Sequence, residues 1–167
     1  MTSSLRIAIA DDDGRVCELI QQMVRKLGNE VVVVAENGNS LIDQCATERP
    51  DVVITGDLTP DMRGADAAAV IYKSRPIPII LFSSCCDPVL VRYADENHVF
   101  MYLVKPIMQE HLEVALERCR CQRPDGREDG VLVGRYAESS GSAPNGEPAP
   151  PSYRQVRQPS RSGQSFN

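Results

Sequence analysis

The sequence lacks a long hydrophobic run, an excess of positive charge and a large set of histidines. No apolar stretch approaches the ~20 residues that cross a membrane, and the stretch before Asp11 is too short for a signal-peptide core. With 18 Lys and Arg against 23 Asp and Glu, the net charge is −5, which disfavours a general nucleic-acid-binding protein. These absences predict a cytoplasmic protein.

The cysteines also lack the spacing of a metal site. None of the 6 cysteines forms a C-x-x-C pair, and the chain has 2 histidines, so a zinc site is not expected. Several cysteines are predicted to be small core residues. The adjacent Cys85 and Cys86 leave a redox role open, because thiol reactivity depends on exposure and on a lowered pKa.

The composition of the 167 residues changes near Gln122. Residues 123–167 hold 6 Gly, 6 Pro and 7 Ser and few large apolar side chains. Such a segment is predicted to bury too little surface to offset the entropy of ordering it. We therefore expect one folded domain over residues 5–121 and a disordered tail over residues 122–167, with the role of the tail left open.

The folded part alternates between apolar runs and segments with helical periodicity. This alternation predicts an α/β fold, in which a parallel sheet is covered by helices on both faces. The consecutive valines of 31–35 predict a strand that is buried on both sides. In a sheet of this kind the functional site lies at the carboxyl ends of the strands. The five predicted strands are 5–10, 31–35, 52–55, 77–82 and 99–104.

Polar side chains follow three of these strands. Asp11 and Asp12 come after the first, Ser83 after the fourth and Lys105 after the fifth. Adjacent carboxylates repel each other unless a cation lies between them, and Mg²⁺ prefers hard oxygen ligands. Asp13 remains to cap the following helix. Because a hydroxyl and an ammonium group suit a phosphoryl group, the pattern predicts a cation and phosphoryl site.

The chain from about residue 5 to 121 resembles the receiver domain of bacterial two-component response regulators. This resemblance implies a three-layer, flavodoxin-like (βα)₅ fold with parallel strand order 2-1-3-4-5. The motifs that carry it are Ile7-Ala8-Ile9-Ala10-Asp11-Asp12, Pro50-Asp51, Pro60-x-Met62-x-Gly64, Ser83-Ser84 and Tyr102-Leu103-Val104-Lys105-Pro106.

The resemblance also implies a role for each matching residue. Asp11 and Asp12 would hold Mg²⁺, Ser83 would be the switch hydroxyl, and Lys105 would pair with the phosphoryl group. Tyr102 would be the switch aromatic that turns inward with Ser83. The peptide bond between Lys105 and Pro106 would be cis.

The chain departs from the family at the phosphoacceptor. Counting five residues on from Asp51, or four back from Pro60, gives Gly56 where the family has its aspartate, and Asp57 follows. In one interpretation, strand alternation directs Asp57 away from the cation. In the other, Gly56 forms a β-bulge and delivers Asp57 to the acceptor position, where it would also bind Mg²⁺.

These alternatives lead to two functions. With a competent Asp57, the chain would be a stand-alone receiver in a phosphorelay, phosphorylated by a sensor histidine kinase or a phosphotransfer protein. The added charge would switch a face made by the fourth helix, fifth strand and fifth helix, which would bind a downstream protein. Otherwise it would be a pseudo-receiver that acts through the same face without phosphorylation.

Neither alternative includes a DNA-binding domain, a membrane segment or an enzyme beyond self-phosphorylation. An aspartate-dependent phosphatase is a weaker alternative, since Asp11 and Asp13 have the spacing of its two acids. A dinucleotide-binding fold is disfavoured because Asp11–Asp13 would repel a pyrophosphate. The oligomeric state is left open.

Overall fold

The computed structural model describes residues 3–121, 132–135 and 152–155. Within these ranges, seven strands form one sheet in the order β2-β1-β3-β4-β5-β6-β7. The strands are β1 Arg6–Ala10, β2 Glu30–Ala35, β3 Val52–Gly56, β4 Ile79–Ser83, β5 Met101–Val104, β6 Leu132–Arg135 and β7 Ser152–Gln155. The helices are α1 Gly14–Lys26, α2 Gly38–Glu48, α3 Gly64–Ser74, α4 Pro88–Glu96 and α5 Gln109–Cys121.

The first five strands are parallel and have the predicted order 2-1-3-4-5, which confirms the flavodoxin-like fold. The sheet continues beyond β5 with β6, which is parallel to β5, and β7, which is antiparallel to β6. Both segments fall within the predicted disordered tail of residues 122–167, and for these residues the structure has strands instead. The rest of that tail lies outside the described residues.

The prediction that residues 31–35 are buried on both sides is wrong. Val33 and Ala35 are buried, but Val34 between them is 42% exposed. Side chains along a strand alternate between the two faces of the sheet. In the described sheet, β2 is the end strand and pairs with β1. Helices therefore cover the face of β2 that carries Val34 incompletely.

Two apolar cores lie on opposite faces of the sheet. Alternate residues of the same strand contribute to each: Ala8 and Ala10 face one core, and Ile7 and Ile9 face the other. The first core includes side chains of α2, α3 and α4, and the second includes side chains of α1 and α5. The fold therefore has the predicted three layers.

Local capping interactions fix where the helices begin. The Asp13 carboxylate accepts a hydrogen bond from the Arg15 amide at 2.9 Å, and Asp87 accepts one from Val89 at 2.7 Å. Both caps were expected from the sequence, as was Pro88 in the first turn of α4. Among the described residues, no helix combines the length and the apolar character that crossing a membrane requires.

Candidate functional site

The carboxyl ends of the strands bring together residues that are distant in sequence. Asp11 follows β1, Asp57 follows β3, Ser83 ends β4 and Lys105 follows β5. The Lys105 Nζ atom lies 3.2 Å from Asp11 Oδ2. The Ser83 hydroxyl donates to Asp57 Oδ2 at 3.4 Å. These groups therefore lie at one edge of the sheet, as a parallel topology requires.

Asp11 is the buried charge of this edge. Its side chain is fully buried, and it accepts hydrogen bonds from the Asp13 amide at 2.9 Å and from Lys105, which is 27% exposed. Burial raises the pKa of the Asp11 carboxyl, the Asp13 amide lowers it, the neighbouring Asp12 raises it and Lys105 lowers it, with a net rise. Asp12 itself is exposed to solvent.

Gly56 occupies a regular strand position. β3 pairs with β1 through Ala10↔Thr55 and with β4 through Gly56↔Phe82, and neither pairing of β3 contains a register shift. The pairings therefore contradict a β-bulge at Gly56, because residues 53–55 each pair with one residue of β1 and one of β4, and Gly56 continues the β4 register at Phe82. Gly56 is the residue at which the family resemblance predicts the phosphoacceptor.

Asp57 lies one residue beyond the strand. Its amide donates to the Phe82 carbonyl and its carbonyl accepts from the Gly64 amide, both at 2.8 Å. Its half-buried carboxylate contacts Ser83. Among the residues that the structure describes, no hydrogen bond or ion pair joins Asp57 to Asp11 or Lys105. Asp57 thus contacts the Ser83 hydroxyl, and Asp11 pairs with Lys105.

The Asp11 carboxylate fills the space that a side chain at position 56 would need. A Cβ atom built on Gly56 would run into Asp11 Oδ2 and would lie 3.0 Å from Asp11 Cγ. Contacts this close do not occur between ordinary side chains. The glycine therefore permits Asp11 to approach β3, where the Asp11 carboxylate pairs with Lys105.

The carboxylates do not form the predicted magnesium ligand set. No group of three or more His, Cys, Asp or Glu side chains in the described ranges is arranged to hold a metal ion. Position 56 supplies no carboxylate, Asp57 contacts Ser83, and Asp11 already pairs with Lys105. The set of Asp11, Asp12 and Asp57 therefore does not fit Mg²⁺ as it is arranged.

Tyr102 lies inside the fold. Its side chain is fully buried and its hydroxyl donates to the Cys85 carbonyl at 2.9 Å. Burial raises the pKa of Tyr102 to about 12. The peptide bond between Lys105 and Pro106 is cis, as the family resemblance implies.

A cysteine approaches the Ser83 hydroxyl closely, which was not predicted from the sequence. Cys85 is exposed and its Sγ lies 3.6 Å from Ser83 Oγ, whereas Cys86 is half-buried. In the described part of the chain, neither Cys85 nor Cys86 forms a disulfide bond. Their position directly after Ser83 was visible in the sequence, but the turn that folds Cys85 back was not. Whether either thiol is redox active stays a prediction.

Gly64 and Asp61 position the loop after β3, and neither was recognised as important. A Cβ on Gly64 would run into the Gly56 carbonyl oxygen. The Asp61 carboxylate accepts from the amides of Gly38 at 2.7 Å and Asn39 at 2.9 Å, at the start of α2. The Pro60-x-Met62-x-Gly64 motif was the sequence feature that could have indicated the importance of Gly64.

Comparisons with known proteins define the class. The family model of the response regulator receiver domain matches residues 7–117, so this chain belongs to the receiver domain family. The transcriptional regulatory protein PdtaR of Mycobacterium tuberculosis is 31% identical over 112 residues, covering 67% of this chain and 55% of PdtaR. The DNA-binding response regulator MtrA of the same organism is 29% identical over 124 residues, covering 74% of this chain and 54% of MtrA.

Solved structures show the same fold. The signal receiver domain of the response regulator NarL from Mycobacterium tuberculosis superposes with a TM-score of 0.69 at 23% identity, covering 73% of this chain and 100% of that domain. The chemotaxis protein CheY4 of Vibrio cholerae gives 0.66 at 21% identity, covering 70% and 99%. This chain spans about half the length of the curated relatives it matches. Receiver domains generally belong to two-component signalling and use Mg²⁺ at the phosphorylation site.

Proposed function

We propose that this receiver domain acts as a protein-interaction module that does not form an aspartyl phosphate. The observation that carries the proposal is the in-register Gly56, with the Asp11 carboxylate filling the space above it. An acceptor must present a carboxylate oxygen in line with the phosphodonor and close to the groups that neutralise the phosphoryl charge. Here Lys105 pairs with Asp11, and position 56 has no side chain.

The position of Tyr102 supports a constitutive conformation. In the receiver family this aromatic side chain is expected to turn inward when the domain is activated. In this chain Tyr102 is already fully buried and bonded to the Cys85 carbonyl. We therefore propose that the face formed by α4, β5 and α5 binds a protein partner without a phosphorylation step. The proposed setting is a bacterial, cytoplasmic signalling pathway.

Phosphorylation of Asp57 is the second candidate, and one contact favours it. The Asp57 carboxylate lies 3.4 Å from the hydroxyl of Ser83, the predicted switch residue. In this alternative an Asp57 oxygen attacks the phosphorus of a phosphohistidine or a small phosphodonor. The bond from phosphorus to the leaving group breaks: a histidine nitrogen takes up a proton as it leaves, whereas the carboxylate of an acyl phosphate leaves as the anion. A sensor histidine kinase or phosphotransfer protein would then be the donor.

Intact-mass measurement after incubation with acetyl phosphate and Mg²⁺ separates the two candidates. We expect no mass gain in the wild-type chain and a gain of one phosphoryl group in Gly56→Asp. That variant restores an acceptor, because the flexible Asp11 side chain is able to rotate away. Gly56→Asn is the matched control, since it has nearly the same shape but no nucleophilic carboxylate.

A wild-type mass gain that Asp57→Asn abolishes would overturn the proposal and establish Asp57 as the acceptor. Amide NMR with beryllofluoride gives a second measurement. We expect no shifts at Ser83 or Tyr102 in the wild-type chain, because beryllofluoride requires the acceptor carboxylate. We also expect no turnover of a chromogenic phosphate ester, which is the assay for the phosphatase alternative.

A further inference from the structure

We propose that β6 and β7 occupy the edge of β5 within their own chain and thereby compete with a protein partner for the α4–β5–α5 face. This inference rests on the proposed function, because that function assigns partner binding to this face. The occupant is the pair of strands β6 and β7. A partner that binds at β5 therefore has to displace β6.

The pairing between β5 and β6 is continuous. Met101 pairs with Leu132, Tyr102 with Val133 and Leu103 with Gly134, all in parallel register. β6 in turn pairs with β7 along its whole length, from Leu132↔Gln155 to Arg135↔Ser152. β6 thus has a bonded neighbour on each side, and β7 replaces β5 as the end of the sheet.

Without β6, the edge of β5 would be open to pairing with other chains. Met101, Tyr102 and Leu103 are all buried, so without β6 an apolar strand would present unpaired backbone groups. Such an edge is a template for a strand from another chain. Strand addition to a free edge is also a general mode of peptide recognition. The same backbone groups therefore serve either β6 or a partner strand.

The helix α5 allows the strand that follows it in the same chain to pair with β5. A parallel neighbour of β5 requires a crossover that returns the chain to the beginning of β5, and α5 provides it. α5 ends at Cys121 and β6 begins at Leu132, which leaves residues 122–131 to complete the connection. The order β5, α5, β6 is thus an ordinary β-α-β unit.

The occupant is suited to being displaced. β6 and β7 have four residues each, shorter than the usual strand. The surrounding sequence of 123–167 is rich in Gly, Pro and Ser and poor in large apolar residues. A pair of strands this short contributes few ladder hydrogen bonds, so we expect β6 and β7 to open at a lower free energy than the rest of the sheet. Because β6 pairs directly at Tyr102, its departure would expose the strand that carries the switch aromatic.

Hydrogen exchange of the full chain tests the proposal. Amides of residues 101–104 face either β4 or β6, so we expect all of them to exchange slowly in the wild-type chain. Val133→Pro removes a ladder hydrogen bond, because β6 is an interior strand. We expect exchange in β5 to become at least about tenfold faster in that variant. Val133→Ala keeps the backbone N–H group at this position and is the matched control, so it should leave exchange in β5 close to that of the wild-type chain.

Amides of β1 report whether the domain remains folded and should keep their protection in both variants. Unprotected β5 amides in the wild-type chain, or protection that Val133→Pro leaves unchanged, would overturn the proposal. Protection that increases with protein concentration would also overturn it, because β6 would then come from a second copy. None of these outcomes depends on whether an aspartate is phosphorylated, so the mass measurements test the proposed function separately.

Discussion

Gly56 and Asp11 determine the chemistry of the site together. The absence of a side chain at position 56 lets the Asp11 carboxylate lie against β3 and pair with Lys105. The resulting ion pair is held at a cost, because the Asp11 side chain is fully buried while Lys105 is partly exposed. Burial outweighs the favourable contacts, since the pKa of the Asp11 carboxyl is raised overall.

Replacing Asp11 with asparagine should therefore stabilise the domain at neutral pH. The folded-state pKa lies above the ordinary value of 3.8, so wild-type stability decreases as pH rises through the interval between these two values. Above that interval the full cost of the buried carboxylate is present. We expect Asp11→Asn to raise Tm by a few degrees at pH 7, and the difference to shrink as pH falls towards 3.8. Calorimetry at several pH values measures this.

The exposed Asp12 provides the control, and Asp12→Asn should change Tm much less. If Asp11→Asn were less stable than the wild-type chain at pH 7, the pairing with Lys105 would outweigh the burial cost. The asparagine retains an oxygen that accepts from the Asp13 amide, so this helix-capping turn is kept in the comparison.

The connection from β3 to α3 is the element that shapes the site. Gly64 begins α3, and its amide bonds the Asp57 carbonyl while its Cα approaches the Gly56 backbone. The Thr59 hydroxyl donates to the Met62 carbonyl at 2.8 Å, which fixes the loop in between. Asp61 joins this loop to the start of α2. The loop is therefore anchored at both of its ends and to a neighbouring helix.

Gly64→Ala should destabilise the fold by about 1–3 kcal/mol, because the new Cβ meets the Gly56 carbonyl, a backbone atom that has little freedom to move. Gly14→Ala is the matched control. Gly14 also begins a helix, but nothing lies within 4 Å of an added Cβ there. We expect that substitution to be neutral or slightly stabilising, given the helix propensity of alanine. Urea unfolding compares the two variants, and equal effects would contradict the steric explanation.

Asp61→Ala should weaken the start of α2. The amides of Asn39 and Gly38 and the Thr59 hydroxyl lower the pKa of Asp61 to about 2. Since this value is below the ordinary 3.8, the carboxylate stabilises the fold above pH 3.8 and loses this effect as pH falls towards 2. We expect Asp61→Ala to lower Tm at pH 7 and to approach the wild-type Tm in strong acid.

The exposed Asp43 on α2 serves for comparison with Asp61, and Asp43→Ala should have a small effect at both pH values. A difference in Tm between Asp61→Ala and the wild-type chain that did not depend on pH would show that the carboxylate charge is not the cause.

The whole domain is built on one sheet that two cores share. Leu41 lies in the core with α2, α3 and α4, and Leu112 lies in the core with α1 and α5. Both side chains are fully buried. Because β1, β3, β4 and β5 each contribute buried residues to both cores, we expect the two cores to unfold together.

Leu41→Ala and Leu112→Ala should each lower the free energy of unfolding by about 2–5 kcal/mol. We expect helical circular dichroism and tyrosine fluorescence to give coincident urea transitions in both variants. Separate transitions for the two probes in either variant would show that the cores unfold independently.

Particular residues show which structural features could be predicted from the sequence and which could not. The caps at Asp13 and Asp87 and the alternation of strands and helices depend on local patterns, and they are found where they were expected. The burial of β2 was overestimated, because a run of valines does not reveal that its strand ends the sheet. The contact between Cys85 and Ser83 depends on a turn whose geometry no local pattern specifies.

By itself, the sequence determined the order of elements from β1 to α5 and the presence of a glycine at position 56, because periodicity, motifs and spacing are properties of the chain alone. Only the tertiary structure decided that Gly56 forms no bulge, that Asp11 fills its space, and that β6 extends the sheet beyond β5. These features arise from pairing and packing between distant segments, where the available volume and the free backbone groups depend on which neighbours the fold supplies.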